Sequence, residues 1–303
     1  MKKKSKMNLF FSYLLIILIG MVLIFPIVWM LFAAFKSNEE IFGSTALWPT
    51  AWTGAGYQAW LEANPDGSFW QYFVWQFHNF AEGWVGVGKN SYANFFWNSF
   101  QIVIPTVILT LVSSTLVAYG FARFNFPCKK PLFAVLIGTL MLPNAVVIIP
   151  RYSMYADWGW VNTYLPFWVP AALAGAPFFV YMLIQFMRNI PRELDEAAKI
   201  DGCNIMQTLV LVLVPMLWPA MVSAGLFQFM WSSNDFMGPL LYVNSPARYP
   251  ATLFVRMSMD ADTGFAWNRV MAVSLISIAP SLVVFFLAQS QFMDGVTAGA
   301  VKG

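Results

Sequence analysis

Six stretches of this chain run for about twenty residues or more without a single Asp, Glu, Lys, Arg or His: Leu9–Phe35, Trp97–Phe121, Pro131–Pro150, Val161–Met187, Cys203–Trp231 and Val270–Met293. A helix needs about 20 apolar residues to cross the hydrocarbon of a bilayer. In hydrocarbon, every backbone N–H and C=O must be satisfied within the protein, which leaves the helix as the state open to an isolated apolar segment. The pattern therefore predicts an all-α polytopic membrane protein with six transmembrane helices. The charge content agrees: 10% of the 303 residues are charged, against about 25% in soluble domains.

The first stretch follows a Lys-rich tip, Met1 to Lys6. It is too long for the apolar region of a signal peptide, and no small-x-small pattern precedes Lys36, so it reads as a retained helix. The chain then divides by composition. Residues 1–35 are a tip and first span, 36–96 a long outer segment, 97–293 a five-span core, and 294–303 a tail. Orientation follows the Lys and Arg residues. With the N-terminus inside, the inner segments carry Lys2, Lys3, Lys4, Lys6, Arg123, Lys129, Lys130, Arg188, Arg192, Lys199 and Lys302. The longer outer segments carry Lys36, Lys89, Arg151, Arg248, Arg256 and Arg269. Both termini are expected inside, in a bacterial cytoplasmic membrane. Cys128 and Cys203 then fall on the reducing side, and no disulfide is expected.

Residues 36–96 form a long connection, rich in Trp, Phe and Tyr, and long connections usually carry function. Ser68 to Phe80 can form an amphipathic helix on a membrane surface. Packing against the bundle rim and docking of an outside partner both remain open for this segment. Prolines recur in the spans, among them Pro143, Pro177, Pro215 and Pro219. They read either as ordinary punctuation or, for Pro215 and Pro219, as a hinge.

The residues exclude several chemistries. Proton coupling uses ionisable groups within the membrane, and the six stretches have none. One His and two separated Cys do not make a metal cluster. His78 lies in an aromatic segment without a nucleophile motif, so no hydrolase triad is expected. Gly83 to Asn90 approaches the phosphate-cradling Gly-x4-Gly-Lys-Ser/Thr loop. Asn90 replaces the magnesium-binding hydroxyl, and no apolar strand precedes the segment. The chain is not expected to catalyse a reaction or to bind a cofactor of its own.

One polar block stands between the fourth and fifth stretches. Pro191 suits the first turn of a helix and Gly202 its end. Between them Ile190, Leu194, Ala197 and Ala198 share one face by spacing. Arg192, Glu193, Asp195, Glu196 and Lys199 are expected around the solvated surface. Ala197 and Ala198 would admit a partner's groove, and Glu196 would offer it a carboxylate. The bland reading is a solvated connecting helix.

The block Glu196-Ala-Ala-Lys-Ile-Asp-Gly202, continued by Val212, Val214 and Pro215, resembles the EAA loop of binding-protein-dependent ABC importer permeases. Val replaces Ile and Leu at two positions of that pattern. Ala118–Pro127, Leu140–Pro143, Ile190–Leu194, Trp231–Phe236 and Gly295–Gly303 resemble the carbohydrate-uptake branch, in particular its MalG-like subunits. The resemblance covers the chain from about Trp97 onward and leaves residues 36–96 unassigned. It implies a type I ABC importer permease fold and a coupling helix, with Glu196, Ala197, Ala198, Asp201 and Gly202 engaging the ATPase. It also implies the partners: a homologous second permease, two ATP-binding cassette subunits that bind ATP and Mg, and an extracytoplasmic solute-binding protein delivering a sugar or oligosaccharide. The tail would insert between the ATPase subunits. By family position Trp231, Asn234 and Asp235 would line the substrate pathway, or anchor the membrane interface instead. Asn144, Gly175 and Phe178 would border the same cavity. A permease for a non-sugar solute, a self-contained ion-coupled transporter and a membrane enzyme are the rival classes.

Overall fold

The structure, a computed structural model, describes residues 6–85, 92–257 and 266–300. The described residues are helical throughout, joined by turns, and form two compact units. One comprises Met1–Ala93 and Phe254–Ile278; the other comprises Asn94–Leu253 and Ala279–Gly303.

Five helical segments are long and apolar enough to cross a membrane: Phe10–Ala33, Tyr92–Arg123, Leu165–Arg188, Ile205–Ser233 and Trp267–Gln289. Helices continue through Pro26, Pro105 and Pro280, which remove one hydrogen bond each without ending the element. Pro150, Pro170 and Pro219 also lie inside helices, whereas Pro143 and Pro177 stand at breaks. Pro131–Pro150, expected as one span with a break at Pro143, is two helices, Lys129–Leu140 and Asn144–Asp157, bent by 103°. Pro143 is extended (φ −62°, ψ 134°), and its ring disfavours helical backbone at Leu142. The Leu165–Arg188 span is interrupted between Ala172 and Pro177, where Ala174 has φ +55° and the Gly175 N–H donates to Pro170 O at 2.8 Å. Before Pro215, residues Thr208–Leu213 widen into a π-helical segment, and the Val214 N–H reaches back five residues to Leu209 O. Pro215 has no N–H to give the regular ladder, which accounts for an irregular turn at this point. The last helix runs unbroken from Trp267 to Ala300, so the expected tail begins as a continuation of the final span.

The aromatic segment is folded rather than open. It forms helices Asn38–Gly43, Gly54–Ala63, Phe69–Trp75 and His78–Val85. The single helix expected over Ser68–Phe80 is two helices. Ser68 caps the first through a capping box with Gln71, and the chain turns at Gln76 and Phe77. Lys36, counted among the outer-segment charges, is buried and donates to the Ala46 carbonyl. His78 stacks on Trp75 at 4.8 Å and its Nδ1 bonds the Trp75 carbonyl. Of the phosphate-loop-like stretch Gly83 to Asn90, residues 86–90 lie outside the described residues.

The core of the second unit joins Ala118 and Ala122 to Leu183, Ile184, Met187, Leu213, Leu217 and Ala220. Lipid tails are as apolar as leucine, so burial from lipid contributes little here, and close packing and interhelical hydrogen bonds decide. Ser113 Oγ donates to Ala171 O at 2.6 Å, and Trp168 Nε1 to Gln101 O at 3.2 Å. At one end Asn98 Nδ2 reaches Ala247 O (2.8 Å) and Tyr249 O (3.0 Å), tying the segment after Tyr242 to the long Tyr92–Arg123 helix. Leu183→Ala should open a cavity beside Met187 and destabilise by about 2–5 kcal/mol, measured as a fall in the thermal unfolding midpoint of the detergent-purified chain.

Candidate functional site: a pinned surface helix and a polar–aromatic cavity

The polar block folds as the helix Glu193–Ile200. Its end is built as a left-handed cap: Gly202 sits at φ +85°, its N–H reaches Lys199 O (3.2 Å), and the Cys203 N–H reaches Ala198 O (2.9 Å). A residue with a side chain is strained in that conformation, so Gly202 is required by the turn. Asp201 is the capping residue and is exposed.

The helix face differs from the expected one. Ala198 is buried with Ile190 in the core, whereas Ala197 and Glu196 are exposed, together with Lys199 and Ile200. Ala198 therefore packs against this chain's own spans and is not presented to a partner. Asp195, expected on the solvated side, turns inward. Its Oδ2 lies 3.1 Å from Arg123 Nε, and the Arg123 side chain is 6% exposed. Arg123 also donates to Ile190 O at 3.0 Å. Tyr119 Oη donates to Ile205 O at 3.1 Å on the far side of the block. The arrangement clamps both ends of the short helix to the last turns of the Tyr92–Arg123 span. It leaves Glu196, Ala197, Lys199 and Ile200 outward, next to the exposed side chains of Ile205 and Met206.

The remaining site candidates fall into two groups. Asn144, Gly175 and Asp235 line one cavity of about 330 Å³ together with Arg151, Tyr155, Phe167 and Tyr242. Trp231 and Phe178 lie outside that lining and pack on each other, with ring centroids 5.2 Å apart. Asn234 is exposed, and its side chain donates to Met230 O at 2.8 Å, closing the Val214–Ser233 helix.

Within the cavity, Asp235 Oδ1 accepts the Gly238 N–H at 3.0 Å. A Cβ at Gly238 would stand 2.3 Å from Asp235 Oδ2, so the close approach needs glycine. Burial holds the Asp235 carboxyl above the usual carboxylate range. The backbone N–H groups of Gly238 and Met237 and the Arg151 guanidinium pull it the other way. Burial likewise raises the Tyr242 phenol, and Arg151, hydrogen-bonded to it, opposes the shift. The sequence reading missed Arg151, Tyr155 and Tyr242. Arg151 directly follows Pro150, where the expected span ended, so it was counted as an outer-segment charge; it lies instead in the cavity wall. Chemically, aromatic faces beside a guanidinium, a carboxylate and an amide can cover C–H surface and bond hydroxyls together.

Residues 111–291 match the family of binding-protein-dependent transport system inner membrane components. This chain belongs to that family. It is a multi-pass membrane subunit of the ABC permease type, a transport component of such a system. The osmoprotective compounds uptake permease protein GgtD of Synechocystis sp. is 31% identical over 207 residues, covering 68% of this chain and 70% of that protein. The trehalose/maltose transport system permease protein MalG of Thermococcus litoralis is 26% identical over 290 residues, covering 95% and 94%. A crystal structure of a bacterial ABC transporter involved in import of the acidic polysaccharide alginate superposes with a TM-score of 0.76 at 16% identity, covering 96% of this chain and all of that one. At that identity the likeness establishes the fold, an ABC importer permease.

Two outcomes follow. Arg123→Gln should destabilise the chain by about 2–3 kcal/mol, below the ~3–5 kcal/mol of fully buried pairs because Asp195 is partly exposed. It should also expose the Glu193–Ile200 helix to limited proteolysis. For Asp235, a folded pKa above the unfolded one means stability is full below about pH 4 and is lost as pH rises through the folded value. Asp235→Asn keeps an acceptor for Gly238 and removes the titration. Its thermal midpoint should match wild type in acid and exceed it at neutral pH.

Proposed function

We propose that this chain is one of two permease subunits in an ATP-driven importer that takes a sugar or oligosaccharide from an extracytoplasmic binding protein and releases it inside. The observation that carries the reading is the Glu193–Ile200 helix, fixed rigidly to the spans on one side while Glu196, Ala197, Lys199 and Ile200 face outward. In a family whose members are inner membrane components of larger systems, that face is the coupling surface for an ATP-binding cassette subunit. Two such subunits bind ATP and Mg and supply the force, with Asp201 and Gly202 shaping the end of the lever and Ala198 anchoring it. The homologous second permease completes the translocation path.

The substrate class is supported by the trehalose/maltose name of the relative that matches nearly end to end. The cavity of Asn144, Arg151, Tyr155, Asp235 and Tyr242 agrees chemically, since sugars are held by polar groups at hydroxyls and by aromatic faces at their C–H surfaces. The osmoprotectant relative marks a second reading, a smaller polar solute. Uptake of labelled disaccharides against glycine betaine in reconstituted vesicles separates the two.

The membrane is the bacterial cytoplasmic membrane, with both termini and the short helix inside. This orientation rests on the excess of Lys and Arg in the short connections. Cys128 is exposed. With Cys203→Ser as background, Cys128 should react with a membrane-impermeant maleimide in inverted vesicles and not in intact cells; labelling from outside would reverse the topology. Glu196→Arg with Ala197→Arg should lower copurification of the ATPase at least ~10-fold, the scale of one to two lost charged hydrogen bonds, with thermal midpoint and membrane insertion unchanged. Undiminished ATPase binding would overturn the coupling assignment.

A further inference from the structure

Beside the short helix lies a second cavity, of about 650 Å³, lined by Phe121, Arg123, Lys129, Arg188, Arg192 and Glu193 among others. Its charge is unbalanced. Arg123 is committed to Asp195, and Glu193 is the sole carboxylate in the lining. Among the described residues, no carboxylate stands within ion-pair distance of Lys129, Arg188 or Arg192. Their existing partners are neutral. Lys129 Nζ donates to Phe124 O (2.7 Å), Arg192 reaches Ala122 O at a long 3.4 Å, and the Arg188 guanidinium lies 5.3 Å over the Phe133 ring. Arg188 and Arg192 both repel the Lys129 ammonium. Three cations held together against one anion are poised for an anionic ligand.

The cavity's place in the fold selects the ligand. Arg123 closes the Tyr92–Arg123 span, Arg188 closes the Leu165–Arg188 span, and Lys129 opens the Lys129–Leu140 apolar helix. Three apolar elements thus change to cationic at one rim. Leading away from that rim, Leu132 and Val135 on the Lys129–Leu140 helix are exposed and apolar. Below the charges lie Phe121 and Phe133, which pack edge to tilted at 5.9 Å. A cationic cup above an open apolar lane matches one molecule with two ends, a phosphate and hydrocarbon chains.

We propose that this cavity binds the phosphate headgroup of an anionic phospholipid, with its chains lying along the Lys129–Leu140 helix. Lys129, Arg188 and Arg192 are the headgroup ligands. Because Arg192 and Glu193 open the coupling helix, the bound lipid also neutralises the repulsion at the base of that lever. The site depends on the bundle alone and stands or falls independently of the cargo.

Native mass spectrometry of the full chain, released from detergent with equimolar phosphatidylglycerol and phosphatidylcholine, tests it. Wild type should retain phosphatidylglycerol preferentially, and Lys129→Gln/Arg188→Gln/Arg192→Gln should reduce that preference about tenfold or more. Lys130→Gln, an exposed charge outside the lining, should leave it unchanged. Should the triple variant misfold, the single variants with wild-type thermal midpoints should each reduce it severalfold. Equal retention of both lipids, or preference that survives the folded variants, overturns the proposal. Displacement by millimolar inorganic phosphate assigns the cavity to the free ion and overturns it too. Loss of ATPase copurification in the triple variant with lipid preference intact would make the patch a subunit contact and equally overturn it.

Discussion

The Arg123–Asp195 ion pair is the contact on which the exposed half of the second unit depends. An isolated helix needs about 12–15 residues to hold its shape in water, and Glu193–Ile200 has eight. It is helical because it is fastened: Ala198 and Ile190 are buried, Gly202 turns the chain back, and the buried guanidinium holds Asp195 and the Ile190 carbonyl at once. A force applied to the outward face would therefore reach the Tyr92–Arg123 span without first melting the helix.

The opposite end of the same unit is held by a different means. There the fastening is made of hydrogen bonds to backbone groups, from side-chain amides, a ring N–H and the Arg248 guanidinium, which donates to Asn162 O. Asn98 bonds Ala247 and Tyr249, and Asn162, at φ +62°, accepts the N–H groups of Asn244 (3.2 Å) and Ser245 (2.9 Å). Such contacts hold irregular backbone next to an apolar medium, where any unpaired group would be costly. The polar cavity around Asp235 opens among these strapped segments, which hold its walls in place.

The spans were legible because charge is absent from them, and that signal needs no knowledge of partners. Gly202 was legible as a helix end, and Glu196 as an exposed carboxylate, because both are local properties. What was illegible came from distant residues. Nothing near Asp195 announces Arg123, 72 positions earlier in the chain, so a carboxylate in a polar block was read as solvated. Spacing put Ala197 and Ala198 on one face, and the choice between them was made by the core formed from other helices. Pro143 was recognised as a break, but one residue type gives no angle, and the 103° turn carries Arg151 and Tyr155 to a wall shared with Asp235.

That turn also sets how far each half can reach. At about 1.5 Å per residue, the 12 residues of Lys129–Leu140 extend about 18 Å, well short of a hydrocarbon layer of about 30 Å. If Lys129 rests at the headgroups, the chain turns by 103° while still at membrane depth. Irregular backbone at that depth must be satisfied by protein or water; the Pro143 carbonyl accepts the Val146 N–H at 3.0 Å, and the amide of Asn144 opens the next helix at that level. The short half thus stops midway and sets a polar amide in the middle of the barrier, at a depth where a straight helix would offer only hydrocarbon-facing side chains.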